Sequence, residues 1–285
     1  MTQRLDTLAH GRPSNREVTL SLWTAERSLA AACARGGVDR LGVDLEGESK
    51  AARQSRDGSN WFSDHRVEDL QAHQEVLPGR LFARTGEVTA GWPEQADRLV
   101  RAGASWLMLP NLRELAQVQS AAKHLGARAS VIPMIENRQA LRMLPDLIAS
   151  RICQEVYFGP NDLSRSLGLP TRFHAMLDPE ILAAMEMCRA ASLPFGIGGG
   201  AAPQTPGLPV PAALVLRFLA GVGVTRLLLG RSFVAAVTAP AMTDLVTRVS
   251  AQTDQIRAAL RRWPVGGQTL EQTVHELGRF ANKLE

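Results

Sequence analysis

Along nearly the whole chain, short apolar runs alternate with longer segments whose apolar residues recur at helical spacing. The runs at 16–23, 39–46, 80–85, 105–110, 129–136, 155–160, 194–198 and 225–230 predict strands. Helical patterns follow them at 24–37, 65–76, 93–103, 112–126, 138–149, 179–192 and 211–221, with Gly-Gly at 36–37 as a stop signal. The beat is strand then helix, about eight times, with no linker between the units. Several strands are continuous apolar runs, as required of strands covered on both faces.

Eight such units predict an α/β fold of the TIM (β/α)8 barrel class, with additional C-terminal helices. A doubly wound open sheet is the competing architecture. It would carry a Gly-rich phosphate turn after the first strand, whereas Thr24-Ala25-Glu26-Arg27 follows Trp23. Residues 1–285 therefore read as one barrel domain. The segment 240–285 holds two more helical patterns, near 240–262 and 270–284, expected to pack on the barrel or on a neighbouring subunit of a homo-oligomer.

Composition narrows the partners. The chain is 45% hydrophobic and 21% charged, enough apolar material for a full core. Its 32 Lys and Arg against 28 Asp and Glu leave a net charge of +4, scattered apart from Arg261-Arg262. With a single Tyr and eight Phe there is little to stack on bases, so no nucleic-acid partner is expected. No run approaches 18 apolar residues and the start lacks a signal-peptide pattern, so no membrane span is expected and the cytoplasm is the expected location. Cys33, Cys153 and Cys188 have no ligand-like spacing and suit a reducing compartment.

In a barrel of this class the carboxyl ends of the strands form the active-site mouth. Asp44 and Glu46 stand there on the second strand, Arg84 on the third, Asn111 after the fourth, Glu136 at the end of the fifth, and Asn161 with Asp162 after the sixth. Glu136 and Asp162 end adjacent strands, so both carboxylates can reach one ion, and an all-oxygen donor set suits Mg2+ or Mn2+. The alternative is that both merely cap the elements that follow. Arg84 either clamps a substrate carboxylate or neutralises Asp44 and Glu46. Asp44 and Glu46 share a strand face, as a base or water holder on one reading and as a rim network with Lys50 and Arg53 on the other. The polar segment 57–65, with Trp61 and His65, reads as a lid or as ordinary surface. The glycine-rich 196–207 reads as an anion-binding loop or a flexible connection.

The motifs GVDRLGVDLEGESKAARQ (37–54), FART (82–85), LMLPN (107–111), VIPMIEN (131–137) and VYFGPNDLSRSLGLP (156–170) occur in an order that resembles the HpcH/HpaI aldolase and citrate lyase β-subunit superfamily. That resemblance implies metal-dependent carbon–carbon lyase chemistry on a barrel that assembles into oligomers. It implies that Glu136 and Asp162 are ligands of one divalent cation and that Arg84 contacts the substrate. Asp44, Pro110, Gly159, Pro160 and Asn161 are expected to line the substrate beside Arg84. Glu46 belongs to the acidic strand-two motif. Gly47 departs from the pattern, because the citrate-lyase branch has Asp there and the aldolase branch His, so the usual base is missing. His65 is the candidate replacement.

The expected substrate is a small 2-oxo acid, cleaved as a 4-hydroxy-2-oxo acid through a pyruvate-like enolate. The alternatives are an acyl-CoA ester lyase or thioesterase, and a non-catalytic metal-binding barrel.

Overall fold

In the computed structural model, residues 18–46 and 64–284 are described. The eight strands are β1 Thr19–Trp23, β2 Arg40–Asp44, β3 Leu81–Arg84, β4 Ala104–Leu109, β5 Ser130–Ile135, β6 Val156–Phe158, β7 Phe195–Gly200 and β8 Arg226–Leu229. They form a closed barrel in sequence order, every pair parallel, with β1 also pairing β8. Between and after the strands run α1 Arg27–Arg35, α2 Val67–Gln74, α3 Trp92–Arg101, α4 Leu115–Leu125, α5 Arg138–Ser150, α6 Pro160–Leu167, α7 Arg172–Leu177, α8 Pro179–Ala190, α9 Ala212–Val222 and α10 Arg231–Thr238. The tail is α11 Leu245–Arg262 and α12 Gly267–Ala281.

The barrel and its extra helices follow the sequence pattern. Three short helices, α6, α7 and α10, do not appear in that pattern. All three are shorter than the spacing test needs, and Pro160, expected at the end of the sixth strand, instead takes the first position of α6. The run Gly198-Gly199-Gly200, expected as loop, completes β7.

Side-chain alternation decides what enters the barrel. Leu41, Val43, Leu81, Ala83, Leu107 and Leu109 face the helices and join the large outer core. Their neighbours Phe82, Met108, Ile132, Met134, Tyr157 and Leu228 form a separate inner core, with Trp23 and Trp106 packed against it. Glycines on inward positions make room for these rings. A Cβ on Gly196 would lie 2.5 Å from the Tyr157 ring, and one on Gly42 would lie 2.6 Å from the Phe82 ring.

The amino ends of the strands close on a charged layer. Glu155 is buried between Arg40 and Arg226 and bonds both, while Arg40 also stacks over Trp106 at 4.0 Å. Here the carboxylate is what makes two sequestered guanidiniums tolerable.

The tail finds its surface within the same chain. α11 lies against α1, α9 and α10, and α12 lies against α9 and α7. Thr253 Oγ1 donates to the Gly36 carbonyl at 2.7 Å, Arg257 pairs with Asp39 at 2.7 Å, and the Gly266 N–H reaches the Gly221 carbonyl at 2.7 Å.

Replacing Glu155 with Gln leaves Arg40 and Arg226 without their counter-charge. Urea denaturation should show a loss of about 3–5 kcal/mol, the cost of orphaning a buried charge. A loss below about 1 kcal/mol would mean that water, not Glu155, compensates them.

Candidate active site

Parallel registry sets Asp44 beside Arg84 at the carboxyl rim, and both continue the inward-facing rows that begin with Gly42 and Phe82. Arg84 Nε donates to Asp44 Oδ1 at 2.8 Å and Nη2 to Oδ2 at 2.5 Å, a bidentate pair. Its Nη1 lies 2.8 Å from Glu46 Oε2. Trp23, at the end of β1, covers the guanidinium face with 4.6 Å between the guanidinium carbon and the ring centroid. Burial alone would weaken the hold of Arg84 on its proton; Asp44 and then Glu46 more than reverse this, so the guanidinium stays charged. Two of its five N–H groups are spent on Asp44, and Nη1, ion-paired with Glu46, keeps donor capacity for other groups. Both roles expected for Arg84, neutralising acids and contacting a ligand, are thus compatible with one geometry.

Glu136 follows β5 on the inward parity of Ile132 and Met134. Its Oε1 accepts the Asn111 N–H at 2.5 Å, and Asn111 takes a left-handed backbone (φ 51°) to aim that N–H. The Asn111 side chain is anchored on Glu87 at 2.8 Å. Oε2 of Glu136 is buried and has no hydrogen-bond partner among the described residues. Burial pushes the carboxyl up to about 7, helped by the charges of Glu46 and Asp162; Arg84 and the Asn111 N–H oppose the rise. Glu136, Glu46 and Arg84 are 4%, 2% and 8% exposed, so solvent does little to screen this crowding.

The capping alternative for Glu136 fails on geometry. The helix α5 is capped by Asn137, whose Oδ1 accepts the Ala140 N–H at 2.8 Å. Asp162 lies in the first turn of α6, after the strand, and its carboxylate pairs with Arg165 at 3.2 Å rather than capping the turn. Its side chain is 31% exposed, and its charge acts on Glu136. Among the described residues, no three His, Cys, Asp or Glu side chains converge in a metal-ligand cluster.

His65, the candidate base, sits beside this rim. Its Nδ1 lies 2.9 Å from the Asp44 backbone nitrogen, which can only donate, so the lone pair of Nδ1 is committed to it. Burial lowers the ring's proton affinity, against the pull of Asp44 and Asp69. A neutral ring with Nδ1 accepting carries its hydrogen on Nε2 and offers no lone pair there to act as a base. His65 instead fixes the backbone from which Asp44 holds Arg84.

Gly159 lets Glu136 pass: a Cβ there would sit 2.9 Å from Glu136 Cβ and 3.1 Å from Oε2. Pro110 is buried next to Asn111, Pro160 is buried at the start of α6, and Asn161 is exposed with its carbonyl accepting from Ser164. Gly47, Lys50, Arg53 and the 57–63 part of the proposed lid, including Trp61, lie outside the described residues. Sequence reasoning missed Trp23 and the backbone role of Asn111. The inward parity at the end of β1 was the available signal for Trp23; nothing in the sequence announces a left-handed Asn.

Residues 18–199 match the model of the family described as HpcH/HpaI aldolase/citrate lyase. No curated protein matches the chain significantly in sequence. Among solved structures, an HpcH/HpaI aldolase/citrate lyase family protein from Burkholderia cenocepacia J2315 superposes with a TM-score of 0.59 at 19% identity, over 78% of this chain and 92% of that one. An HpcH/HpaI aldolase from Desulfitobacterium hafniense DCB-2 gives 0.55 at 14% identity, over 75% and 86%. A variant of the citrate synthase SbnG gives 0.52 at 16%, over 77% and 88%. At these identities the likeness is one of fold.

With no cation added, the folded protein keeps a proton on Glu136 up to about pH 7, whereas an unfolded glutamate releases it near 4.5. Stability should therefore fall as pH rises through this interval, because the unfolded chain gains the charged form first. Glu136→Gln removes that loss. Urea denaturation of cation-free protein at pH 5 and pH 8 should show a smaller decline for the variant than for the wild type; parallel declines would refute the crowded-carboxylate account.

Proposed function

Because the chain belongs to the HpcH/HpaI aldolase/citrate lyase family, we propose that it is a divalent-metal-dependent carbon–carbon lyase that cleaves or forms a 4-hydroxy-2-oxo acid. The observation that carries this reading is the buried, unpartnered Oε2 of Glu136, placed under the influence of Glu46 and Asp162. An anionic oxygen without a donor is costly unless protonated or bound to a cation. Glu136 and Asp162 would hold Mg2+ or Mn2+, which typically take one or two carboxylates and complete their shell with water and substrate oxygens, so two protein ligands suffice. When bound, the ion supplies Lewis acidity toward the carbonyl and carboxylate of a 2-oxo acid.

The chain's own residues supply the rest. The N–H groups of Arg84 that Asp44 leaves free donate to the oxygen that gains charge as the carbon–carbon bond breaks, which stabilises the transition state more than the ground state. Asp44 and Trp23 hold the guanidinium plane, and His65 holds Asp44. Glu46, the remaining carboxylate on Arg84, is the proton acceptor this reading assigns. It takes the proton of the 4-hydroxyl, the C3–C4 electrons pass into the enolate of the 2-oxo acid, and the aldehyde leaves. Protonation at C3 then yields the 2-oxo acid, so the atoms balance without a redox partner.

The test is exchange of pyruvate's methyl protons for deuterium, read by NMR after the metal is removed. Wild-type protein loaded with Mg2+ or Mn2+ should exchange pyruvate and leave acetyl-CoA untouched; exchange of acetyl-CoA alone, or of neither, contradicts the reading. Arg84→Lys keeps the charge but loses the planar fork, and kcat/KM should fall by about 100-fold. An Arg84→Lys enzyme within about threefold of wild type would remove Arg84 from the reaction.

A further inference from the structure

Behind the rim, α2 buries a second histidine. His73 stands in the last turn of that helix and is 0% exposed. Its Nε2 lies 2.7 Å from the Thr24 carbonyl oxygen. A carbonyl can only accept, so Nε2 carries the ring hydrogen and Nδ1 is a bare acceptor. Nδ1 is buried and has no hydrogen-bond partner among the described residues. Burial lowers the ring's affinity for a second proton, against the bond to Thr24 and the pull of Asp69. A leucine would fill similar volume without orphaning a buried acceptor, so packing alone does not call for an imidazole here.

Thr24 is the first residue after β1, and each of its polar groups is committed. Its N–H donates to the Gly42 carbonyl of β2 at 3.1 Å, its Oγ1 accepts the Glu26 N–H at 3.0 Å, and its carbonyl accepts from His73. The last of these ties the corner to a helix outside the strand wall. Trp23, joined to Thr24 by one peptide bond, packs on Phe82 with 6.0 Å between ring centroids and sets its ring over Arg84. The course of the chain at Thr24 therefore decides where that ring lies above the guanidinium.

The same helix reaches the other group that orients Arg84. His65, two residues before α2 opens, accepts the Asp44 N–H at 2.9 Å, and Asp44 grips the guanidinium edge through Nε and Nη2. Buried Leu70 lies between the two histidines in sequence, and α2 packs on α1, β2 and β3. Arg84 is held on its face by Trp23 and on its edge by Asp44, and one helix carries the tie to each.

We propose that His73 is a positioning residue for Arg84: through the Thr24 carbonyl it sets Trp23 over the guanidinium, and with His65 it makes α2 the single body from which Arg84 is aimed. The geometric claim stands without a reaction; its effect on turnover deepens the lyase reading and rests on it.

The wild-type protein provides the first test. Nitrogen-15 NMR of the histidine rings, with His73 assigned by its loss in His73→Gln, should show a slowly exchanging hydrogen on Nε2 and none on Nδ1. The opposite tautomer, or a ring protonated on both nitrogens at pH 7, overturns the proposal. The second test uses two amides of different reach. In His73→Gln the side-chain nitrogen can take the place of Nε2, whereas in His73→Asn it stops near the place of Nδ1, short of Thr24. The Nε–Hε signal of Arg84, identified by its loss in Arg84→Lys, is read in cation-free protein and compared with that of Trp23→Leu, where the covering ring is gone. His73→Asn should move the signal toward its Trp23→Leu position, and His73→Gln should leave it near the wild-type one. Metal-loaded His73→Asn should exchange pyruvate's methyl protons about 10-fold more slowly, and His73→Gln should recover most of that loss. An Arg84 signal that His73→Asn does not move, or a loss that His73→Gln shares in full, overturns the positioning role. If wild-type protein does not exchange pyruvate, the lyase reading falls, while both NMR measurements still decide whether His73 places Trp23.

Discussion

A side chain that enters a closed eight-stranded barrel has only the barrel axis to occupy, and strand alternation dictates which residues must enter. Everything at the rim follows from that constraint. Trp23, Asp44, Arg84 and Glu136 share the inward parity of the rows below them, whose packed rings form a floor beneath the charged groups. The floor excludes water from one side, so charges that would be screened on a surface act on each other at close range.

The two ends of the barrel solve the resulting charge problem differently. At the amino end, Glu155 satisfies Arg40 and Arg226, and the layer serves as a plug. At the carboxyl end, Asp44 and Glu46 pair with Arg84, and Glu136 keeps a buried oxygen without a hydrogen-bond partner among the described residues. One end is closed on itself, and the other leaves Oε2 of Glu136 without a hydrogen-bond partner among the described residues. That asymmetry is what makes the mouth, rather than the plug, the candidate site.

The barrel was legible in the sequence because each strand is a continuous apolar run and each helix keeps its spacing. The candidate site was legible only in part. Asp44, Glu46, Arg84, Glu136 and Asp162 could be named from their places at strand ends, yet their partners could not. Whether Glu136 caps a helix depended on Asn137, one residue on, taking the capping bond. Whether His65 serves as a base depended on a backbone N–H of Asp44 that claims its lone pair. Asp162 moved from strand end to helix because Pro160 starts α6, and Gly199 became an unpaired bulge where a loop was expected. In each case the deciding term is a tertiary hydrogen bond or a register shift, which residue spacing does not encode.

The central claim is that the orphaned oxygen of Glu136 is the seat of a divalent cation. A crystal structure of the protein soaked in Mn2+, with data collected at the manganese absorption edge, tests it directly. An anomalous peak about 2.1 Å from Glu136 Oε2, with Asp162 as the second protein ligand, is the result predicted. A Glu136 carboxyl that stays protonated and hydrogen-bonded, with manganese absent from the rim at saturating concentration, would contradict it.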